Sequence, residues 1–430
     1  MLHTAFSMAG SGSPYIRYGY DGDLDRQTPL GPEGKGEATI DLIGLKAGKT
    51  VEWQVVAEVG KKLEEGPVRT LEVPPPPTDL APLQLDVYDD SQVESGPFHV
   101  LTNVTERDDS FVVIIDRDGD YVWYARSRNP SVNIVHVELS ADRKSVLWGE
   151  FDRLEETDFG GMFRLTLDGR TETFTPMPDA HHDIAELPDG QLAYLAFDIR
   201  SMEITDLDIG PQTVQASSIR TVAEGTADGR SYETLFAYAD DYTVPPWFVC
   251  SHMSPNENLF GYFQWDHANS LMVDPVTDDL VVMLRNFDAI TWIDPDTGAM
   301  NRQVGGLHGT PIADPATPFD HGHMTQLWDG GFMVFDNVLH GDGPSAMVEY
   351  TLDPATDVAT EVWRYEDPEG LVYPVLSDAD KLPGGNYLGT WYVEGRINEV
   401  TPSGDVVWQV ETTDGGKFAR ASALGDLHHL

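Results

Sequence analysis

From Asp116 onward the chain is cut at short intervals by turn units of Asp, Gly and Pro. In order they are DRDGD at 116, LDGR at 167, LPDGQ at 187, DPVTDD at 274, DPDTG at 294, WDGG at 328, DPATD at 353, LPGGN at 382 and TPSGD at 401. Such units reverse the backbone, because Pro fixes φ, Gly reaches left-handed conformations and Asp bonds nearby main-chain amides. The runs between them are short, apolar and rich in Val, Tyr, Trp and Phe, and none keeps a helical period. A chain punctuated in this way reads as an all-β array of hairpins. Its 40 glycines and 29 prolines suit an architecture of many tight turns.

Three stretches superimpose: HDIAELPDGQLAYL from His182, HMTQLWDGGFMVFD from His323 and SDADKLPGGNYLGT from Ser377, each opening eight positions before a glycine. With a further start at His267, the intervals are 85, 56 and 54 residues. That spacing fits four-stranded blades of a β-propeller with an insertion in the first interval. Residues 80–178 leave room for two more blades, so the expected fold is a six-bladed β-propeller. The insertion would run from about 200 to 261 and hold the irregular YADDYTVPPWFVCSHMSPNENLFG, expected as a lid or rim loop.

The PPPP run at 74–77 cannot pair as a central strand and separates two differently patterned regions. The expected division is an N-terminal β-sandwich over 1–73, a Pro-rich linker over 74–80 and the propeller over 81–430. Before the linker, GLKAGKTVEWQVVAEVG alternates Val51, Trp53, Val55, Ala57 and Val59 on one strand face. This segment resembles the late strand of a fibronectin type III-like sandwich, with ATIDLIGL as the strand before it.

Lys and Arg number 27 against 72 Asp and Glu, a net charge of −45. Nucleic acid and anionic membrane surfaces repel such a chain, so neither is expected as a partner. Apolar stretches such as Phe111 to Ile115 run to about five residues, far short of the roughly 20 that span a bilayer. After Met1, LHTAFSMAGSGS lacks the basic start and long apolar segment of a signal peptide, so any export signal is expected to have been removed or never to have existed. The lone Cys250 cannot form an internal disulfide.

If the repeats are in phase, the residue opening each hairpin reaches the same end of a central channel. Three of these residues are histidines: His182 in DAHHD, His267 in QWDHANS and His323 in FDHGHM. Arg285 follows His267 by 18 residues, about one hairpin, and would return to the same rim. Taken singly, each histidine reads as a hydrogen-bonded structural residue, and Arg285 equally well as a structural salt-bridge partner. Three at equivalent positions point to a site, because packing does not ask for imidazole there. DRDGD has Asp at positions 1, 3 and 5 of a calcium loop, but Tyr121 and Ser127 occupy positions 6 and 12, so a β-turn is the better reading. Nucleotide-binding glycine fingerprints, HExxH and GxSxG are absent, and no cofactor or metal is expected.

Taken in order, HHDIAELPDG, WDHANSLMVDPVTDDLVVMLRNFDAITWIDPDTG, QVGG, HMTQLWDGGFMVFDN, AMVEYTLDP, VWRYEDPEG, SDADKLPGGN and GRINEVTPSGDVVW resemble the bacterial arylsulfate sulfotransferase family over roughly residues 95–430. The resemblance implies a six-bladed propeller behind an N-terminal β-sandwich, export to the periplasm or beyond, and sulfuryl transfer between phenols without a nucleotide donor. By resemblance, His323 is the histidine that becomes transiently sulfated. His182, His267, Asn269 and Arg285 match positions that bind or polarise the sulfuryl group, and Thr390 in YLGTW matches a threonine of the same pocket.

Neutral imidazole is a competent nucleophile that can hold a labile N-linked sulfuryl group, giving a ping-pong cycle. Charge developing on the sulfuryl oxygens needs fixed donors, which Arg285, Asn269 and a second histidine can supply. The leaving phenol, with a pKa of about 10, needs a proton or strong hydrogen bond, which His182 or His267 can give. Expected partners are thus a small aryl sulfate and a phenol, with a homodimer left open. Two rivals stand beside this reading: a three-histidine metal site for lyase or hydrolytic chemistry, and a non-catalytic ligand-binding propeller.

Overall fold

The computed structural model describes residues 1–96, 98–105, 109–129, 133–151, 160–203, 211–241, 263–306 and 318–428. The turn units fold by the chemistry of their own residues. In the D-P units, Asp274, Asp294 and Asp353 each accept the amide two residues on at 2.8 Å. The fifth residue of each unit is left-handed: Asp278 (φ 63°), Gly298 (69°) and Asp357 (58°). Asp and Gly are among the residues that tolerate this conformation best. Gly190 and Gly385 close the LPxG turns from φ 86° and 103°, where a Cβ is disfavoured.

Among the described residues, short strands joined by such turns make six sheets, antiparallel but for one added strand, after the N-terminal region. The second runs Asn133–Leu139, Ser145–Phe151, Gly161–Thr166, Glu172–Pro176, and the fourth runs Ala268–Val273, Leu280–Leu284, Ala289–Ile293, Met300–Gly305. The fifth is built the same way from His323–Trp328, Gly331–Asp336, Ala346–Leu352 and Ala359–Glu366. The third starts at Ala180–Glu186 and carries Phe263–Gln264 as an added parallel strand.

The first and sixth sheets are completed from distant parts of the chain. Ala421–Leu424 pairs with His99–Thr105 as a terminal strand of the first sheet, next to which lie Ser110–Asp116 and Tyr121–Arg126. Leu83–Tyr88 pairs with Val406–Thr412 as the last strand of the sixth, which begins Asp378–Lys381, Tyr387–Trp391, Arg396–Val400.

Apolar side chains from facing sheets fill every gap. One cluster joins the first and second sheets through Ile114 and Trp148, another the second and third through Leu147 and Tyr194. Leu195 of the third sheet shares a cluster with Val282 and Leu284 of the fourth, and Trp292 with Phe332 carries the contact onward to the fifth. Phe335 with Trp391 joins the fifth and sixth, and Trp408 with Val100 joins the sixth back to the first. The result is a closed, propeller-like all-β assembly. Three of its buried indoles bond their N–H groups to side chains of the same sheet or its turns: Trp148 to Glu150 at 2.9 Å, Trp292 to Asp274 at 2.7 Å and Trp391 to Asn398 at 2.9 Å. Truncating such a side chain to Ala costs about 3–5 kcal/mol.

In the N-terminal region the long strand Leu2–Gly19 pairs with Gly34–Leu42 through its first half and with Thr50–Val59 through its second, with a register shift between Met8 and Gly12. Ile16, Leu42, Val51 and Trp53 are buried together there. Alternation on Thr50–Val59 breaks at its end, because Val56 is fully buried while Val55 is only half-buried. DRDGD is a β-turn: Gly119 N–H donates to Asp116 O at 3.0 Å. Lys46 Nζ meets Asp116 at 3.2 Å, Asp120 at 3.0 Å and Asp118. An ammonium ion therefore stands among the carboxylates that a calcium loop would aim at its ion.

The expected insertion over 200–261 is corrected. Within it, Pro211–Ala223 and Tyr232–Ala237 are the third and fourth strands of the third sheet, and Gln191–Glu203 pairs with the former along its full length. The remainder of that segment, residues 204–210 and 242–261 with Cys250, lies outside the described residues.

Candidate functional site

The first strands of the sheets bring the histidines to one place, and they do so through unusual backbone. His182 (φ 54°) and His267 (φ 49°) are left-handed, and Met324 (48°) and Ser377 (75°) repeat the feature in the fifth and sixth sheets. For such residues this costs on the order of 1 kcal/mol each, so the surroundings must hold it. At His267 the hold is visible. Asp266 accepts the N–H groups of Ser217 at 2.9 Å and Ala268 at 3.1 Å, while Arg285 N–H donates to His267 O at 3.2 Å.

Arg285 sits in the tight turn Arg285–Phe287 at the end of the second strand of the same sheet. Its guanidinium donates to Asn286 Oδ1 at 2.9 Å and to Pro374 O at 3.3 Å. The His182 and His267 rings meet edge to face, 5.0 Å between centroids. His181, the other half of the HH pair, stacks on Phe197 and has its Nδ1 2.9 Å from that of His182. Asn269 Nδ2 donates to Gly322 O at 2.9 Å, which ties the fourth sheet to the residue before His323.

His323 is 1% exposed, and its Nδ1 lies 2.7 Å from Asn337 Oδ1. The Asn337 amide nitrogen donates to Tyr373 O at 2.6 Å and Leu376 O at 3.2 Å. Both amide protons are thus directed at carbonyls, and Oδ1 can only accept. His323 must carry its proton on Nδ1, which leaves the lone pair on Nε2.

The electrostatics keep the His323, His267 and His181 rings neutral. Burial, then the Arg285 charge, push His323 down to about 3 against the opposing pull of Asn337. Burial, Arg285 and the neighbouring histidines hold His267 well below the ordinary imidazole value, and burial takes His181 to about 3. The His182–His267 ring contact and the Asn269 bond to Gly322, the residue before His323, draw the third, fourth and fifth sheets together here.

Thr390 lies on the second strand of the sixth sheet, paired with Asp378, and its Oγ1 is buried without a hydrogen bond among the described residues. The same is true of His267 Nδ1 and Asn269 Oδ1. Buried polar atoms left this way call for a polar ligand or water. Sequence reasoning missed Asn337 and His181; the signals were the Asn closing VFDN and the doubled His in DAHHD. Among the described residues, the trio of metal-type donors drawn within 4.8 Å of one another is Asp320, His321 and His340, and not His182, His267 and His323.

Comparison with known proteins places this geometry in context. Among solved structures the chain is similar to a protein of unknown function from Bacteroides caccae, at 16% identity over 77% of this chain and 100% of that one, TM-score 0.46. It is also similar to a streptogramin B lyase, at 13% identity over 80% and 98%, TM-score 0.39. No curated protein sequence matches it. The family model described as arylsulfotransferase (ASST) matches residues 86–307, a span that contains His182, His267, Asn269 and Arg285 and ends before His323 and Thr390. With more than half its length matched, the chain belongs to the arylsulfotransferase family.

Proposed function

We propose that the protein transfers a sulfuryl group from an aryl sulfate to a phenolic acceptor through a sulfated His323. The observation that carries this reading is the Asn337 hydrogen bond, which leaves a neutral His323 with its lone pair on Nε2 in the neighbourhood of Arg285 and His267. In the first displacement Nε2 attacks sulfur, the S–O bond to the aryl group breaks, and the phenolate departs with a proton. In the second the acceptor phenol returns its proton to His182 or His267 as its oxygen attacks the same sulfur, the N–S bond breaks and His323 is regenerated. Arg285 and Asn269 stabilise charge on the sulfuryl oxygens, and removal of one such donor costs about 10²–10³ in rate.

His182 or His267 serves the phenol oxygen. His267 is neutral in the free protein, and an entering sulfate monoester offsets the Arg285 charge that depresses it, which favours a proton on the ring. The buried Thr390 hydroxyl is assigned to the same pocket. In this reading the six sheets are six blades over 81–430, behind a fibronectin III-like sandwich over 1–73 and a linker over 74–80, and the protein works in the periplasm or outside the cell.

The test is incubation with 4-nitrophenyl sulfate and a phenol. Nitrophenol release, its abolition in a folded His323→Ala variant, and a sulfated His323 peptide in quenched protein are expected. Absence of release and of the peptide from folded protein would remove the reading.

A further inference from the structure

We propose that Asp320, His321 and His340 form a binding site for a divalent transition ion of the Zn²⁺ class, separate from the histidines of the transfer site. Each offers one donor atom within 4.8 Å of the other two. Two imidazoles and a carboxylate are a donor set suited to Zn²⁺ and its first-row neighbours, whereas Ca²⁺ and Mg²⁺ take oxygen. Three protein ligands leave a coordination position open.

The donors are held in place by their surroundings. Asp288 Oδ1 accepts the His321 main-chain N–H at 2.8 Å, and Asp336 Oδ1 accepts that of Asp320 at 2.8 Å. Asp320 Oδ2 accepts the N–H groups of Gly341, at 2.9 Å, and His340. Its Oδ1 meets His321 Nδ1, which fixes the imidazole against the carboxylate. The His321 and His340 rings stand at 61° with centroids 4.5 Å apart, edge to face. His321 is buried and left-handed (φ 58°), Asp320 is half-buried and His340 is exposed, so the cluster opens to solvent on one side.

Position gives the site a consequence. His321 O lies 3.3 Å from His323 Nδ1, and Asn337 is three residues before His340. An ion held here joins the turn that leads into His323 to the loop that follows Asn337. Assignment of the ion site does not depend on the sulfuryl-transfer reading.

The test uses the full chain, stripped with a chelator, desalted and equilibrated with micromolar ZnCl₂, followed by metal analysis after gel filtration. One equivalent of zinc is expected, with at least tenfold weaker binding in His340→Ala and unchanged binding in His267→Ala. Co²⁺ substituted for zinc should give a visible spectrum distinct from the aqua ion and altered by His340→Ala. Should that variant not fold, by circular dichroism, His340→Gln replaces it. No stoichiometric uptake, uptake indifferent to His340, or uptake lost instead in His267→Ala would each overturn the assignment.

Discussion

His323 Nδ1 and Asn337 Oδ1 are 2.7 Å apart, and both protons of the Asn337 amide are directed at main-chain carbonyls. The tautomer of His323 is therefore set by Asn337, with the His321 carbonyl as a second, longer acceptor at 3.3 Å. Asn337→Ala is expected to lower kcat for aryl sulfate cleavage by about 10–10³-fold, since the wrong tautomer of a catalytic histidine can cost still more. Steady-state kinetics on folded variant checks this, and an unchanged kcat would show that the contact does not set the nucleophile.

Acid should leave the first displacement intact. His323 is pushed down to about 3, so it stays neutral at pH 5.5, where an ordinary imidazole is mostly protonated. The rate of the nitrophenol burst at saturating donor is expected to hold from pH 7.5 to 5.5. A limb with its midpoint near 6.5 would contradict the neutral buried nucleophile.

Arg285→Ala should leave two marks. Loss of the guanidinium is expected to reduce transfer by about 10²–10³-fold. It also removes a charge that depresses both His267 and His323, so any acid limb of the residual activity should move upward in pH. A rate loss with an unmoved profile would place Arg285 away from the rings.

A stability prediction concerns Arg420 and Asp183. Arg420 bonds Asp183 at 2.7 and 3.1 Å, and the carboxylate is 1% exposed. Burial alone would raise the Asp183 pKa, but Arg420 and His136 outweigh it and bring it to about 2. A carboxyl depressed below its unfolded value stabilises the fold above about pH 4 and loses that contribution as pH falls toward 2. Arg420→Met, which removes one of the two cationic partners of the buried carboxylate, is expected to cost about 3–5 kcal/mol at pH 7 in urea unfolding. A loss below 1 kcal/mol would mean that the pair is not formed.

The strand-and-turn character of the chain was legible because it is local: DPDTG and LPGGN carry their own backbone geometry, and the repeats at His182, His323 and Ser377 fall within two residues of where the first strands of the third, fifth and sixth sheets begin. What a residue meets across the fold was not. Asn337 lies 14 residues beyond His323, just past the strand Gly331–Asp336, and nothing around it marks its partner. Pro211–Ala223 resembles an insertion in the sequence because the paired strands Gln191–Glu203 and Pro211–Ala223 are polar and exposed at their far ends, where the usual alternation fades. The pairing of Ala421–Leu424 with His99–Thr105 follows from ring closure, which no local pattern encodes.

That pairing bears on how the protein is made. During synthesis His99–Thr105 emerges early, yet the strand that covers one of its edges is translated after the other five sheets. Until then a ribosome-bound chain presents an open β-edge, the feature most prone to pair with a neighbour. Chaperone demand should therefore persist until the closing strand has left the exit tunnel.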